Sequence, residues 1–290
     1  MNNRETVAFV GTGVMGNSMA GHLLRAGYHV NVYTRTKEKA ENLISSGAKW
    51  CSTPAEAVAD AKYTITIVGY PKDVEEVYFG KDGILENAKQ GSFVIDMTTS
   101  TPSLAKKIYA AAKEKGIYSL DAPVSGGDVG AKEARLTIMV GGDKDAYKTC
   151  LPLFERMGKN IVLQGEAGSG QHTKMCNQIA IATNMIGVCE SLAYAKSSGL
   201  DPVKVLETIT TGAANSFSLS KLAPRILAGD FEPGFYVKHF IKDMGIALAE
   251  AEAMGLKLPG LSLAIDMYEE LANKGEENSG TQALYKLWEM

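Results

Sequence analysis

Residues 11–16 read Gly-Thr-Gly-Val-Met-Gly and follow directly on the apolar run Thr6-Val7-Ala8-Phe9-Val10. Gly11, Gly13 and Gly16 thus stand at G-x-G-x-x-G spacing between a run that reads as a buried strand and the amphipathic stretch Met15–Ala26, which reads as a helix closed by Gly27. Few folds accept that order, and the opening of a parallel α/β sheet is the one it fits. In such a turn Gly11 allows the tight bend, Gly13 lets backbone approach a pyrophosphate, and Gly16 lets helix pack close to strand. The free N–H groups of the helix start, with Val14 and Met15 at its head, and the helix dipole then favour anionic phosphates. Glycine makes up 30 of the 290 residues, so the spacing alone is weak; its place between strand and helix gives it weight.

The pattern continues as strand–helix alternation. It predicts strands at Thr6–Val10, His29–Thr34, Tyr63–Val68, Ser92–Asp96, Ile117–Asp121, Leu136–Val140 and Asn160–Leu163. Between them it predicts helices at Met15–Ala26, Lys37–Ser46, Pro54–Ala61, Pro102–Lys115 and Ala146–Met157. Thr53-Pro54 and Thr101-Pro102 each place a capping hydroxyl before a proline at the first helical position. Apolar strands in this order form a mainly parallel, doubly wound Rossmann-type sheet covered on both faces. After Gly170 the strand signals vanish, and Gln171–Ser198 reads as one long helix, apolar around most of its circumference. Further helical patterns follow at Pro202–Thr210, Leu219–Leu227, Lys238–Met254, Leu261–Asn273 and Thr281–Trp288. Two domains are expected: a dinucleotide-binding domain at 1–164, and an all-helical domain at 165–290 that begins with a long interdomain helix. Residues 165–170 would be the hinge.

Composition removes several classes. A net charge of −3 leaves no basic surface to argue for nucleic acid. The longest apolar region, Ile179 to Cys189, is interrupted by Thr183 and Asn184 and is too short to span a bilayer. The N-terminus lacks a basic-then-apolar signal pattern. Cys51, Cys150, Cys176 and Cys189 are scattered without a C-x-x-C pair, which suits reduced thiols in the cytoplasm. His22, His29, His172 and His239 have no ligand spacing with each other or with cysteine, so no metal site is expected.

The second strand decides the cofactor. An NAD site usually ends that strand in Asp or Glu, which binds the ribose hydroxyls. Here the stretch is Val32-Tyr33-Thr34-Arg35-Thr36-Lys37, without a carboxylate. Arg35 can fork onto a 2′-phosphate, and Thr34 and Thr36 can donate to it. The reading is NADP, with NAD possible.

Two clusters suggest chemistry. In Asp121-Ala122-Pro123-Val124-Ser125-Gly126-Gly127, the Ser-Gly-Gly turn can expose a hydroxyl and successive backbone N–H groups to a carboxylate; a plain turn is the competing reading. In Gly170-Gln-His-Thr-Lys174-Met-Cys-Asn177-Gln178, spacings of three and four put Lys174, Asn177 and Gln178 on one helical face. A desolvated lysine titrating nearer neutrality is a good general acid. The competing reading is a lysine that snorkels to water.

These motifs together resemble the β-hydroxyacid dehydrogenases, the family of 3-hydroxyisobutyrate dehydrogenase, tartronate semialdehyde reductase and the glyoxylate/succinic semialdehyde reductases. Residues 9–20 resemble the family's N-terminal motif, Asp121–Gly127 its substrate motif, Gly168–Gln178 its catalytic motif, and Lys242-Asp243 its late Lys-Asp pair. The resemblance spans essentially the whole chain. It implies Lys174 as the catalytic residue, protonating a carbonyl oxygen as hydride arrives. It implies Ser125, Gly126 and Gly127 on the substrate carboxylate, and Asn177 and Gln178 orienting substrate or Lys174. Thr99 would contact the cofactor near the nicotinamide, Val68 and Gly69 would lie along it, and Lys242 would close over it. The implied partners are a small carboxylate-bearing substrate and further copies of the chain, as a homodimer or homotetramer, which makes 165–290 the substrate and oligomerisation domain. The chain departs from the family in Thr12, where leucine is common, in Val68-Gly69-Tyr70-Pro71, where Leu-Pro is usual, and in Gln178, where asparagine is common. Imine reduction and a catalytically silent NADPH-binding module are the alternatives; imine-reducing relatives generally lack the lysine present here, and a silent module would be expected to have replaced it.

Overall fold

The computed structural model describes residues 5–289, which divide into two compact units between Lys174 and Met175. The division falls inside one helix, Ser169–Ser197.

In the first unit, nine strands among the described residues form one sheet. They are β1 (Thr6–Val10), β2 (His29–Tyr33), β3 (Lys49–Trp50), β4 (Tyr63–Thr66), β5 (Phe93–Asp96), β6 (Tyr118–Asp121), β7 (Val124–Ser125), β8 (Leu136–Gly142) and β9 (Gly158–Gly165). The order is β3-β2-β1-β4-β5-β6-β8-β7, with β9 paired to β8. Strands β1 to β6 run parallel to one another. At the far side β8 lies antiparallel to β6 and β7, and β9 runs parallel to β8. The sheet is therefore Rossmann-like but mixed.

Two short strands escape the sequence patterning. Lys49–Trp50 is a two-residue edge strand, too short to show alternation. Val124–Ser125, inside the stretch expected to be a turn, pairs with Ile138 and Thr137. Long-range pairing, which local patterning does not register, makes both.

The sheet is buried on both sides because β1 alternates. Val7 and Phe9 join the cluster that includes Met19, Leu23 and Phe154, whereas Ala8 and Val10 join the opposite cluster of Val74, Tyr78, Leu104 and Ile108. The cap readings at Thr53 and Thr101 hold in detail: each hydroxyl accepts a backbone N–H three residues on, at 3.1 Å.

The second unit is helical. Beyond the long helix come Pro202–Ile209, Ala223–Leu227, Val237–Ala253 and Pro259–Leu271. Its core centres on Phe240 and Tyr268, packed edge to face at 5.0 Å, with the Tyr268 hydroxyl donating to Thr281 O at 2.8 Å. Four predicted helices are not uniformly α-helical: Lys37–Ala40 and Thr281–Trp288 are 3₁₀, and Ser218–Leu222 and Ala272–Glu276 are π. Apolar spacing cannot separate these from an α-helix over one or two turns.

Candidate active site

The chain places β2 and β3 on one side of β1, and β4 and β5 on the other. The connections therefore diverge after β1, and the crevice beyond the carboxyl ends of β1 and β4 is where such sheets receive a ligand. Gly11, Val68 and Gly69 all follow these ends. Gly11 has φ of +100°, and its N–H donates to Tyr33 O at 2.9 Å. A Cβ on Gly11 would lie 2.1 Å from Ile67 O, and one on Gly16 would lie 2.0 Å from Gly11 O. Gly13 differs, because a Cβ there would meet nothing within 4 Å. Turn closure and helix packing thus exclude side chains at Gly11 and Gly16, while the backbone at Gly13 faces open space.

Helix Val14–Arg25 starts at Gly13 without a side-chain cap and without an acidic residue in its first turn. Its leading N–H groups have no acceptor within the helix. Val14 is exposed and Met15 half-buried. An exposed helix start with a bare glycine in front of it fits a dinucleotide pyrophosphate.

On the β2 side Thr34 is half-buried, and Arg35 and Thr36 are exposed. The Arg35 side chain is 71% exposed, and its Nη1 donates to Asp73 Oδ1 at 3.2 Å. Asp73 also accepts the Tyr70 N–H at 3.0 Å, at the start of the helix Pro71–Phe79. The residues after β2 and after β4 are thereby tied together, a link that the sequence does not announce.

The ends of β5 and β6 carry two buried carboxylates, Asp96 and Asp121, paired in register. Asp96 Oδ1 accepts from Thr66 Oγ1 at 2.9 Å and from Thr98 N–H at 3.0 Å. Burial outweighs these bonds and pushes its carboxyl up to about 6. Asp121 accepts Gly168 N–H at 2.7 Å and Gln171 N–H at 2.8 Å. Burial raises its carboxyl as well, opposed by the backbone N–H groups it binds.

Asp121 thus holds the start of the long helix, and Lys174 follows within that helix. Lys174 is 7% exposed, and its Nζ donates to Val124 O at 2.9 Å. It does not snorkel. Val124 immediately precedes the half-buried Ser125 and the exposed Gly126, whose φ is +127°. Lys174 and the Ser125–Gly127 segment are therefore neighbours in the first unit. Thr99, half-buried, lies between Thr98 and Ser100, both bonded to the side chain of Gln171. Gln171 is the residue that motif reading passed over; its full burial depends on strands distant in sequence.

In the second unit the remaining candidates converge. Asn177 Nδ2 donates to Gln178 Oε1 at 2.7 Å, and Gln178 Nε2 donates to Asp243 Oδ2 at 2.6 Å. Lys242 Nζ lies 2.9 Å from the other Asp243 oxygen. The Lys242 side chain is only 12% exposed. Two stretches 65 residues apart thus meet on one carboxylate. His239, beside them, has its imidazole pushed down by burial and by Lys242 and Lys238.

Comparison with known proteins agrees with this architecture. Residues 6–165 match the NAD binding domain of 6-phosphogluconate dehydrogenase, and residues 168–288 match the NAD-binding family of NADP-dependent 3-hydroxyisobutyrate dehydrogenase. The chain belongs to the 3-hydroxyisobutyrate dehydrogenase-like family of NAD(P)-dependent β-hydroxyacid dehydrogenases, and is an oxidoreductase of that family. It is 65% identical to the uncharacterized oxidoreductase YkwC of Bacillus subtilis, over 98% of this chain and 99% of that protein. It is 50% identical to the probable mitochondrial 3-hydroxyisobutyrate dehydrogenase-like protein 1 of Arabidopsis thaliana, over 96% of this chain and 83% of that one. Among solved structures, the 3-hydroxyisobutyrate dehydrogenase of Mycobacterium tuberculosis with L-serine superposes with a TM-score of 0.91 at 31% identity, covering 98% of this chain and 99% of that one. Among the described residues, no helix is long and apolar enough to cross a membrane.

Proposed function

We propose that the protein is an NADPH-dependent reductase of a small aldehyde or keto acid carrying a carboxylate, working reversibly, with Lys174 as the general acid. One observation carries the reading. A buried lysine points its ammonium at Val124 O, next to the Ser-Gly-Gly segment, within the unit that also bears the bare glycine turn. Structural lysines are rarely buried, and burial costs little only where the charge has a use or a partner.

When bound, the cofactor supplies the hydride. Gly11, Gly13 and Gly16, with the first-turn N–H groups at Val14 and Met15, hold its pyrophosphate. Arg35, Thr34 and Thr36 hold the ribose 2′-phosphate, Val68 and Gly69 flank the adenosine side, and Thr99 meets the nicotinamide side. The Ser125 hydroxyl and the backbone of Gly126 and Gly127 bind the substrate carboxylate and leave its carbonyl toward Lys174. The lysine Nζ donates a proton to the carbonyl oxygen as the carbonyl carbon accepts hydride, so C=O becomes CH–OH. Asn177 and Gln178 orient substrate or lysine, and Asp243 holds both Gln178 and Lys242. The assembly is a homodimer or homotetramer, which light scattering after gel filtration will test.

The test is oxidation of NADPH and of NADH with glyoxylate, succinic semialdehyde, tartronate semialdehyde and methylmalonate semialdehyde, beside Lys174→Ala. We expect Lys174→Ala to lose about 10³-fold in kcat while binding NADPH within about threefold of the parent. Turnover that survives Lys174→Ala removes the lysine from the chemistry. Tight NADPH binding without turnover of any acid favours the silent-module reading.

A further inference from the structure

We propose that Gln171 is a positioning residue for Lys174: its buried amide clamps the backbone on either side of Thr99 and couples that segment to the first turn of the lysine helix. The inference rests on the reductase reading above.

Gln171 is wholly buried. Its Oε1 accepts the Ser100 N–H at 3.0 Å, and its Nε2 donates to Thr98 O at 2.7 Å. One side chain thereby satisfies a donor and an acceptor that flank Thr99. Thr98 is anchored in turn, since its N–H donates to Asp96 Oδ1 at 3.0 Å and its Oγ1 accepts Val68 N–H at 3.0 Å. From the other end, the main chain of Gln171 donates to Asp121 Oδ2 at 2.8 Å. Lys174 lies three residues along the helix, on the neighbouring turn of the same face.

The chemistry favours a function over mere packing. A buried primary amide costs free energy unless both its ends are bonded, and an aliphatic side chain would fill the space without that demand. An amide is required where one acceptor and one donor must sit side by side, as Ser100 N–H and Thr98 O demand. The helix start has little room to slide. A Cβ on Gly170 would lie 2.4 Å from Met139 O, and one on Gly141 would lie 2.5 Å from Asp121 Oδ1. With the helix start held there, loss of the Gln171 amide bonds lets the Thr99 segment shift relative to the lysine turn, and a displacement of about 1 Å between reacting groups costs on the order of 100-fold in rate.

Gln171→Glu provides a test specific to the bonds. A protonated carboxyl copies the amide, with C=O accepting from Ser100 N–H and O–H donating to Thr98 O. An ionised carboxylate sets an oxygen against the Thr98 carbonyl and repels it. We expect Gln171→Glu to keep near-parental kcat at about pH 5.5 and to lose about 10-fold relative to the parent by about pH 8, with little change in the KM of the acid. Gln171→Met, which fills the space without either bond, should lose about 10-fold in kcat at every pH. The activity-independent readout is the rate at which trinitrobenzenesulfonate labels Lys174 in the cofactor-free protein, followed by peptide mass spectrometry. Labelling should rise several-fold in Gln171→Met. Parental kcat, pH profile and labelling in both variants, whatever their Tm, overturn the proposal. So does a loss in Gln171→Glu that acid does not restore. If the parent reduces none of the acids while labelling still rises, the reductase reading fails and the positioning role stands.

Discussion

Two helices start at the carboxyl edge of the same sheet, and they meet opposite fates. The helix Val14–Arg25 begins at Gly13 with no side-chain cap and with open space where a Cβ would be. The helix Ser169–Ser197 begins against Asp121, whose two oxygens take the N–H groups of Gly168 and Gln171. Each helix start carries the same partial positive charge. Left bare, it can bind a ligand's anion. Satisfied by a carboxylate of the fold itself, it becomes an anchor, here for the residue proposed to deliver the proton. Neighbouring Asp96 completes the contrast. Its partners are the Thr98 N–H and the hydroxyls of Thr66 and Thr98 rather than a helix start, and burial takes its carboxyl up to about 6.

The largest effect expected on this comparison is at the filled end. Asp121→Ala removes two charge-assisted bonds and should lower unfolding free energy by about 3 to 5 kcal/mol, measured by urea titration. Loss of less than about 1 kcal/mol would mean that the helix start does not need its carboxylate.

Asp96→Asn tests the carboxylate without a helix. Its folded-state acidity lies near 6, above the ordinary 3.8, so the folded chain keeps a proton that the unfolded chain has released. The contribution of Asp96 is therefore most favourable below about pH 4, declines as pH rises to about 6, and levels off above, by up to about 3 kcal/mol. In Asp96→Asn that declining limb should vanish from a plot of Tm against pH. An unchanged plot would place the titration elsewhere.

At the bare end, Gly13→Val should weaken NADPH binding by about 30-fold while Tm stays within about 2 °C, because the added carbons enter ligand space rather than protein. Gly16→Ala should do the reverse and unfold the turn, since its Cβ would lie 2.0 Å from Gly11 O. Equal losses of Tm in both would erase the distinction between the two glycines.

Smallest is Arg35→Ala. NADPH affinity should fall by about 10-fold and NADH affinity by less than about twofold, read by quenching of cofactor fluorescence. Parallel losses would leave Arg35 as merely the ion-pair partner of Asp73.

Much of this was legible in the residues. The glycine spacing after Thr6–Val10, the capping Thr-Pro pairs and the end of strand signals after Gly170 are local patterns, and local patterns report φ/ψ preference and burial period directly. The family motifs located Lys174, Ser125 and Lys242 in the chain. What stayed hidden was partnership: Gln171 with Thr98 and Ser100, Arg35 with Asp73, and Gln178 with Asp243 are 71 or more, 38 and 65 residues apart. By itself the sequence determined a strand-turn-helix opening with glycines at G-x-G-x-x-G spacing, an α/β half followed by a helical half, and which residue types could do chemistry. Only the tertiary structure decided which polar groups are buried and whose bonds they use. Desolvation is a property of all the chain that packs around a group, and hydrogen-bond partners are set by where the strands end, so neither is written in the residues beside it.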